Sequence, residues 1–255
     1  MIYKRAAARL RAQDWVAITI ELSIVVVGVF IGTQVANWNE DRLTRRETQR
    51  MLVRLKPEID NMLLFYTSAR EYYRTTRAWA DTAFAGWRGD PAVSDRDFVI
   101  AAYQASQIYG SGTNISTWAT IFGADRLRTI GNDRMRTNLA YLMSIDTSQL
   151  DISAVDTPYR RNVRRIVPVE IQDAIRARCG DRSPPGNPGI LALPSTCDIQ
   201  IPPPVAAAAA TDLRSHPELV EDLRWHTASA AYYLENLVAN EVVVRQVQQE
   251  LSATR

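Results

Sequence analysis

Two histidines, two cysteines, a block of four arginines and one carboxylate inside an apolar run have the most chemical scope in this 255-residue chain. His216 and His226 are ten apart, so they fall on different helix faces and do not make the one-turn pair of a helical zinc site. Asp222 and His226 are one turn apart and within hydrogen-bonding reach, an arrangement common on helix surfaces. No G-x-S-x-G, phosphate-binding loop, H-E-x-x-H or C-x-x-C is present. The sequence is therefore read as having no catalytic residue, no metal site and no cofactor.

Arg160, Arg161, Arg164 and Arg165 form a basic helical face that could clasp an anionic ligand, a phosphate or a partner's carboxylates. A solvated helix surface is the competing reading. Cys179 and Cys197 bracket a Pro- and Gly-rich loop, CGDRSPPGNPGILALPSTC. A disulfide there would restrict the unfolded chain and last only in an oxidising compartment. The alternative is two unrelated buried thiols.

These groups sit on a chain organised by one stretch, Val16–Trp38, VAITIELSIVVVGVFIGTQVANW. It is long enough to cross a bilayer as one helix, which takes about 20 mostly apolar residues. Trp15 and Trp38 flank it as interface anchors. A cleaved signal peptide competes, but bulky Gln34 stands where cleavage after Ala36 needs a small residue. Gly28 and Gly32 form a G-x-x-x-G step that lets helix backbones approach closely. Glu21 lies just over one turn inside the run, where a carboxylate is costly and often functional. Its position resembles that of the acidic residue in single-anchor proteins of proton-driven stators. The competing reading is an interfacial Glu favoured by the helix N-terminus and neutralised by Arg9, Arg11 or a proton.

The formal charge is +2, and residues 1–15 carry +3 of it, so with Glu21 counted the part after the anchor is neutral. A neutral domain has no general pull on nucleic acid. Basic residues flank both anchor ends in nearly equal number: Lys4, Arg5, Arg9 and Arg11 before, Arg42, Arg45, Arg46 and Arg50 after. The positive-inside rule is then close to a tie. The cysteine pair breaks it in favour of a cytoplasmic N-terminus and a periplasmic domain on a bacterial inner membrane.

Past the anchor, residues 39–87 read as one helix. Leu52, Leu55, Ile59, Met62, Tyr66, Ala69 and Tyr73 alternate three and four apart, the seam of a helix packed along a long partner. Pro57 should kink or restart it, and Gly86 with Gly89-Asp90-Pro91 should end it. Shorter helices are expected over 95–108 (capped by Ser94), 116–122, 132–144 and 158–178, the last split or kinked at Pro168. Seven of the twelve prolines fall between 184 and 204, and Ile201-Pro202-Pro203-Pro204 reads as extended polyproline. Ala206–Ala210 opens the final helical region. The last helix, about 217–251, carries its own three-or-four seam from Leu219 to Leu251 and can pair antiparallel with 52–87.

The run Glu21-Leu22…Val27-Gly28-Val29…Gln34-Val35-Ala36-Asn37-Trp38-Asn39-Glu40-Asp41-Arg42 resembles a bacterial family of single-pass membrane-anchored proteins of unknown function. Its members open with E-x-x-x-V-V-x-G-x-x-I-x-x-Q-x-N-N-W-N-E-x-R and continue as a charged helix. Ala36 replaces a common polar residue. Thr117-Trp118…Phe122-Gly123…Leu127-Arg128-Thr129-Ile130…Tyr141-Leu142 is similar to the family's middle segment. The resemblance implies a membrane location, a helical domain and a place for Glu21 in the family pattern. It carries no activity.

The expected architecture is all-α: a basic cytoplasmic tail (1–15), a transmembrane helix (16–38) and a periplasmic helical domain (39–255) with an irregular Pro-rich disulfide loop (179–205). The expected function is a membrane-anchored interaction or scaffold protein. Its partners are the lipid bilayer and, through Glu21, Gly28, Gly32 and Gln34, a second copy or another membrane protein. A ligand-binding sensor is the alternative, but residues 1–15 are too short for an output domain, so it would signal through a partner. An unrecognised hydrolase ranks third.

Overall fold

One helix, α1 (Trp15–Trp87), runs unbroken for 73 residues, roughly 110 Å at 1.5 Å per residue. The computed structural model describes residues 15–110, 127–144, 157–187 and 190–253. The expected helix over 116–122 and the basic residues of the N-terminal tail lie outside them. The other helices are α2 (Asp95–Gln104), α3 (Asp133–Ser144), α4 (Pro158–Ile166), α5 (Val169–Cys179), α6 (Pro203–Arg214) and α7 (Glu218–Ala253). Among the described residues there is no strand, only an isolated bridge between Arg182 and Ala192.

Every described side chain from Trp15 to Leu43 is exposed, and the first buried one on α1 is Thr48. Among the described residues this stretch is uncovered by protein, and it is long and apolar enough to cross a membrane. Beyond Thr48 the seam takes over. Leu52, Leu55, Ile59, Met62, Tyr66, Ala69 and Tyr73 are all buried, as their spacing predicts. They pack along α7, which contributes Leu237, Val244, Val247 and Leu251. The two helices are antiparallel: Gln248 meets Asp60 at 2.6 Å, and Glu241 meets Arg70 at 2.9 Å. α3 closes this core with Met135, Leu139 and Leu142.

A second core lies at the far end of α1. Phe98 and Tyr103 of α2, Tyr159 of α4, Ile175 of α5, Leu213 of α6 and Leu219 and Leu223 of α7 form its centre. Trp79 borders both cores. The disulfide between Cys179 and Cys197 is present. Its loop is irregular but anchored. Trp79 Nε1 donates to the Pro194 carbonyl at 3.0 Å, and Arg96 Nε donates to that of Ile199 at 2.8 Å.

Three expectations need correction, and one boundary stands. Pro57 neither stops nor restarts α1. It leaves the Val53 carbonyl without a helical donor, but Val53 is 74% exposed, so water can replace the bond. The end of α1 at Trp87 falls where the Gly86 and Gly89-Asp90-Pro91 signals place it. Gly86 lies inside the last turn, where Phe98 comes too close for any side chain, and Gly89 makes the exit at φ 74°. The helix expected over 95–108 stops at Gln104, and 105–109 is a buried turn. Only Pro202 of the Pro202-Pro203-Pro204 run is extended; Pro203 opens α6. A first-turn proline loses nothing, because its missing N–H would have no helical partner. The split of 158–178 at Pro168 and the Ser94 cap stand as expected.

Candidate functional site

The polar centre of the bundle forms around the turn after α2. A helix C-terminus leaves carbonyls without internal donors, and here they are sealed inside: Ser106 is fully buried and Gln107 nearly so. The amides of Ala105, Ser106 and Gln107 turn back to the carbonyls of Ala101, Tyr103 and Gln104, and α4 then binds the turn itself. Arg160 Nη1 donates to the Ser106 carbonyl at 2.8 Å, and Arg164 Nη2 donates to Gln107 Oε1 at 2.9 Å. The Arg164 guanidinium lies 4.9 Å over the Tyr103 ring. Burial, and then neighbouring Arg160, pull Arg164 below its ordinary pKa. Tyr159 donates to the Ala102 carbonyl at 2.7 Å. Tyr72 of α1 donates to Asp181 Oδ1 at 2.7 Å. Burial raises the Asp181 pKa, with the Tyr72 hydrogen bond and Arg160 opposing.

The four-arginine face is therefore divided. Arg160 and Arg164 turn inward and hold the turn after α2, while Arg161 and Arg165 are exposed. Neither a wholly solvated surface nor a four-fingered anion clasp describes it.

His226 lies on the other side of the same turn. Its Nδ1 is 2.8 Å from Thr157 Oγ1, and its ring also hydrogen-bonds the Ala105 backbone. Thr157 caps α4 by accepting from the Arg160 amide at 3.2 Å, which leaves its hydroxyl proton for the imidazole. Burial, with Arg160 adding to it, lowers the His226 pKa to about 4. The expected Asp222 partner is engaged elsewhere, accepting from Asn162 Nδ2 at 3.0 Å. Thr157 and His226 are a hydroxyl–imidazole pair, yet the hydroxyl is committed to the cap and the residue is buried. His216 is exposed beside Glu218. Among the described residues no group of three or more His, Cys, Asp or Glu could hold a metal.

Beside His226 the α1–α7 seam opens into a cavity of about 210 Å³. Tyr73 and Thr76 of α1 face Thr227, Ala230 and Leu234 of α7 across it, with Arg77 at its edge.

The anchor residues sit apart from this centre. Glu21, Gly28 and Gly32 fall within about 40° of one another around the helix axis, and Gln34 lies on the far side. Nothing approaches within 4 Å of a Cβ built on Gly28 or Gly32. Trp15 and Trp38 are both exposed, and Arg42 lies 5.7 Å over the Trp38 ring.

Sequence reasoning missed Tyr72, Asp181, Thr157 and the cavity. Only the cavity had a local signal, the small-residue run Thr227-Ala228-Ser229-Ala230-Ala231 inside the α7 seam. No family model, curated protein or solved structure matches the chain.

Proposed function

We propose that this chain is a single-pass membrane-anchored interaction protein that works by binding rather than catalysis. One observation carries the reading. The same unbroken α1 supplies an uncovered apolar segment about one bilayer long and then the central seam of the bundle. Anchor and domain are thus one rigid piece, which suits a subunit that holds a domain at a fixed place above a membrane. We place the N-terminus in the cytoplasm and the bundle in the periplasm of a bacterial inner membrane. The Cys179–Cys197 bond supports that side, because such bonds persist in oxidising compartments.

The partner is a second copy or another membrane helix, met on the face that carries Glu21, Gly28 and Gly32. The open glycine pair allows close backbone approach, and a carboxylate on the same face offers a hydrogen bond that hydrocarbon cannot. Gly28→Ile with Gly32→Ile should lower the particle mass in mild detergent, measured by light scattering. An unchanged mass would count against this face. Glu21→Gln should weaken the complex and Glu21→Leu should weaken it more, since Leu strands the partner's polar group. Equal association in all three forms would remove Glu21 from the interface.

A further inference from the structure

We infer that the cavity beside His226 is a binding site for a small, uncharged, apolar molecule the size of one aromatic ring or a short hydrocarbon chain. The inference does not depend on how the anchor associates.

The cavity arises from side-chain size. Farther along α7 the seam is filled by Leu237, Val244, Val247 and Leu251. Beside Tyr73 and Thr76 it is lined instead by Thr227 and Ala230. Interiors pack densely, and voids larger than a water molecule are few. This one, at about 210 Å³, is partly open to solvent beside Arg77 and Ala231, and its volume is larger than the roughly 150 Å³ of an enclosed apolar cavity that takes benzene.

Its chemistry selects the occupant. A buried water needs two to four polar partners, and the hydroxyls and imidazole along this wall are already engaged. Thr76 Oγ1 donates to the Tyr73 carbonyl at 3.0 Å. Thr227 Oγ1 lies 2.9 Å from the carbonyls of both Leu223 and Arg224. His226 is held by Thr157. Arg77, the one charged residue at the edge among the described residues, pairs with Asp81 at 3.1 Å. Among the described residues no lone charge waits for a carboxylate or an amine. What the walls offer is apolar surface from Tyr73, Ala105, Ala230 and Leu234, which favours a ligand that brings the same. A molecule there touches α1 and α7 together, so binding strengthens the seam that carries the bundle.

The test uses the full chain in lipid nanodiscs, with benzene, indole and benzoate as probes. Thermal unfolding of the unaltered protein should shift upward with benzene or indole. At one hundred times the dissociation constant the folded-to-unfolded ratio should rise about a hundredfold. Benzoate at the same concentration should bind at least tenfold more weakly. Ala230→Leu fills the void and should abolish the benzene response while leaving the melting temperature nearly unchanged. No response to either neutral probe, an equal response in Ala230→Leu, or benzoate binding as tightly as benzene would overturn the inference. Should Ala230→Leu fail to fold, Ala231→Leu on the neighbouring wall replaces it under the same criteria. The contrast between benzene and benzoate on the unaltered protein decides the chemistry in either case.

Discussion

Arg70 and Glu241 tie α1 to α7 across the seam, with Nη1 2.9 Å from Oε2 and the Glu241 side chain only 4% exposed. Arg245, one turn further along α7, donates through Nε to the other carboxylate oxygen at 3.0 Å. Two guanidiniums thus share one buried acid. Glu241→Ala removes the acid that both guanidiniums share, and with Arg70 28% and Arg245 49% exposed to water the loss should be about 1–2 kcal/mol, below that of a fully buried pair. Replacing both partners, Arg70→Met with Glu241→Leu, should cost much less. Urea unfolding of the two variants separates the cases, and equal losses would show that the pair adds nothing.

His226 gives the bundle an acid-sensitive joint. Its pKa falls from 6.5 to about 4 on folding. Between those values the unfolded chain binds a proton that the folded chain does not. Stability from this group is therefore complete above pH 6.5 and falls as the pH drops towards 4, by about 3 kcal/mol in all. Asp181, whose pKa is raised on folding, works in the opposite direction near the acid end. His226→Asn should flatten the fall in urea midpoint between pH 7 and pH 5. An unchanged profile would assign the acid sensitivity to other groups.

Gly86→Ala tests the closest approach in the second core. An added Cβ would lie 2.1 Å from Phe98 Cδ2. The Phe98 ring has little freedom to retreat, with Trp87 edge-on at 5.0 Å and Arg214 at 4.8 Å. Alanine ordinarily favours a helix over glycine by about 1 kcal/mol. Here the overlap should win, for a net loss of about 1–3 kcal/mol read as a lower melting temperature. A gain would mean that Phe98 swings aside freely.

Reduction of the Cys179–Cys197 bond, which spans 18 residues of sequence, should destabilise the domain by about 3 kcal/mol. Denatured protein taken from its own membrane should accept no thiol label until reductant is added. Two thiols labelled without reductant would argue against an oxidising compartment.

The long elements were legible because burial repeats with the helix period. The residues from Leu52 to Tyr73 announce their own seam, and all seven are buried. The disulfide was legible from its loop. What could not be read depended on distant partners. Arg160 and Arg164 look like surface charges until α2 ends beside them and presents the Ser106 carbonyl. His226 has Asp222 one turn away, yet its partner is Thr157, 69 residues distant. Pro57 and Pro203 were misread for a different reason. Proline opposes a helix through a missing donor, and both sit where that donor is replaceable or never needed.

The absence of any break in α1 between Trp38 and Thr48 gives the bundle a compass heading as well as a height. Each residue of helix contributes about 100° of rotation and about 1.5 Å of rise. One residue inserted after Trp38 would barely lift the bundle but would swing it through more than a quarter turn relative to Glu21 and Gly28. Seven would raise it about 10 Å and return it to within about 20° of its original bearing. A partner that reads direction would notice the first change, and one that reads only distance would notice the second.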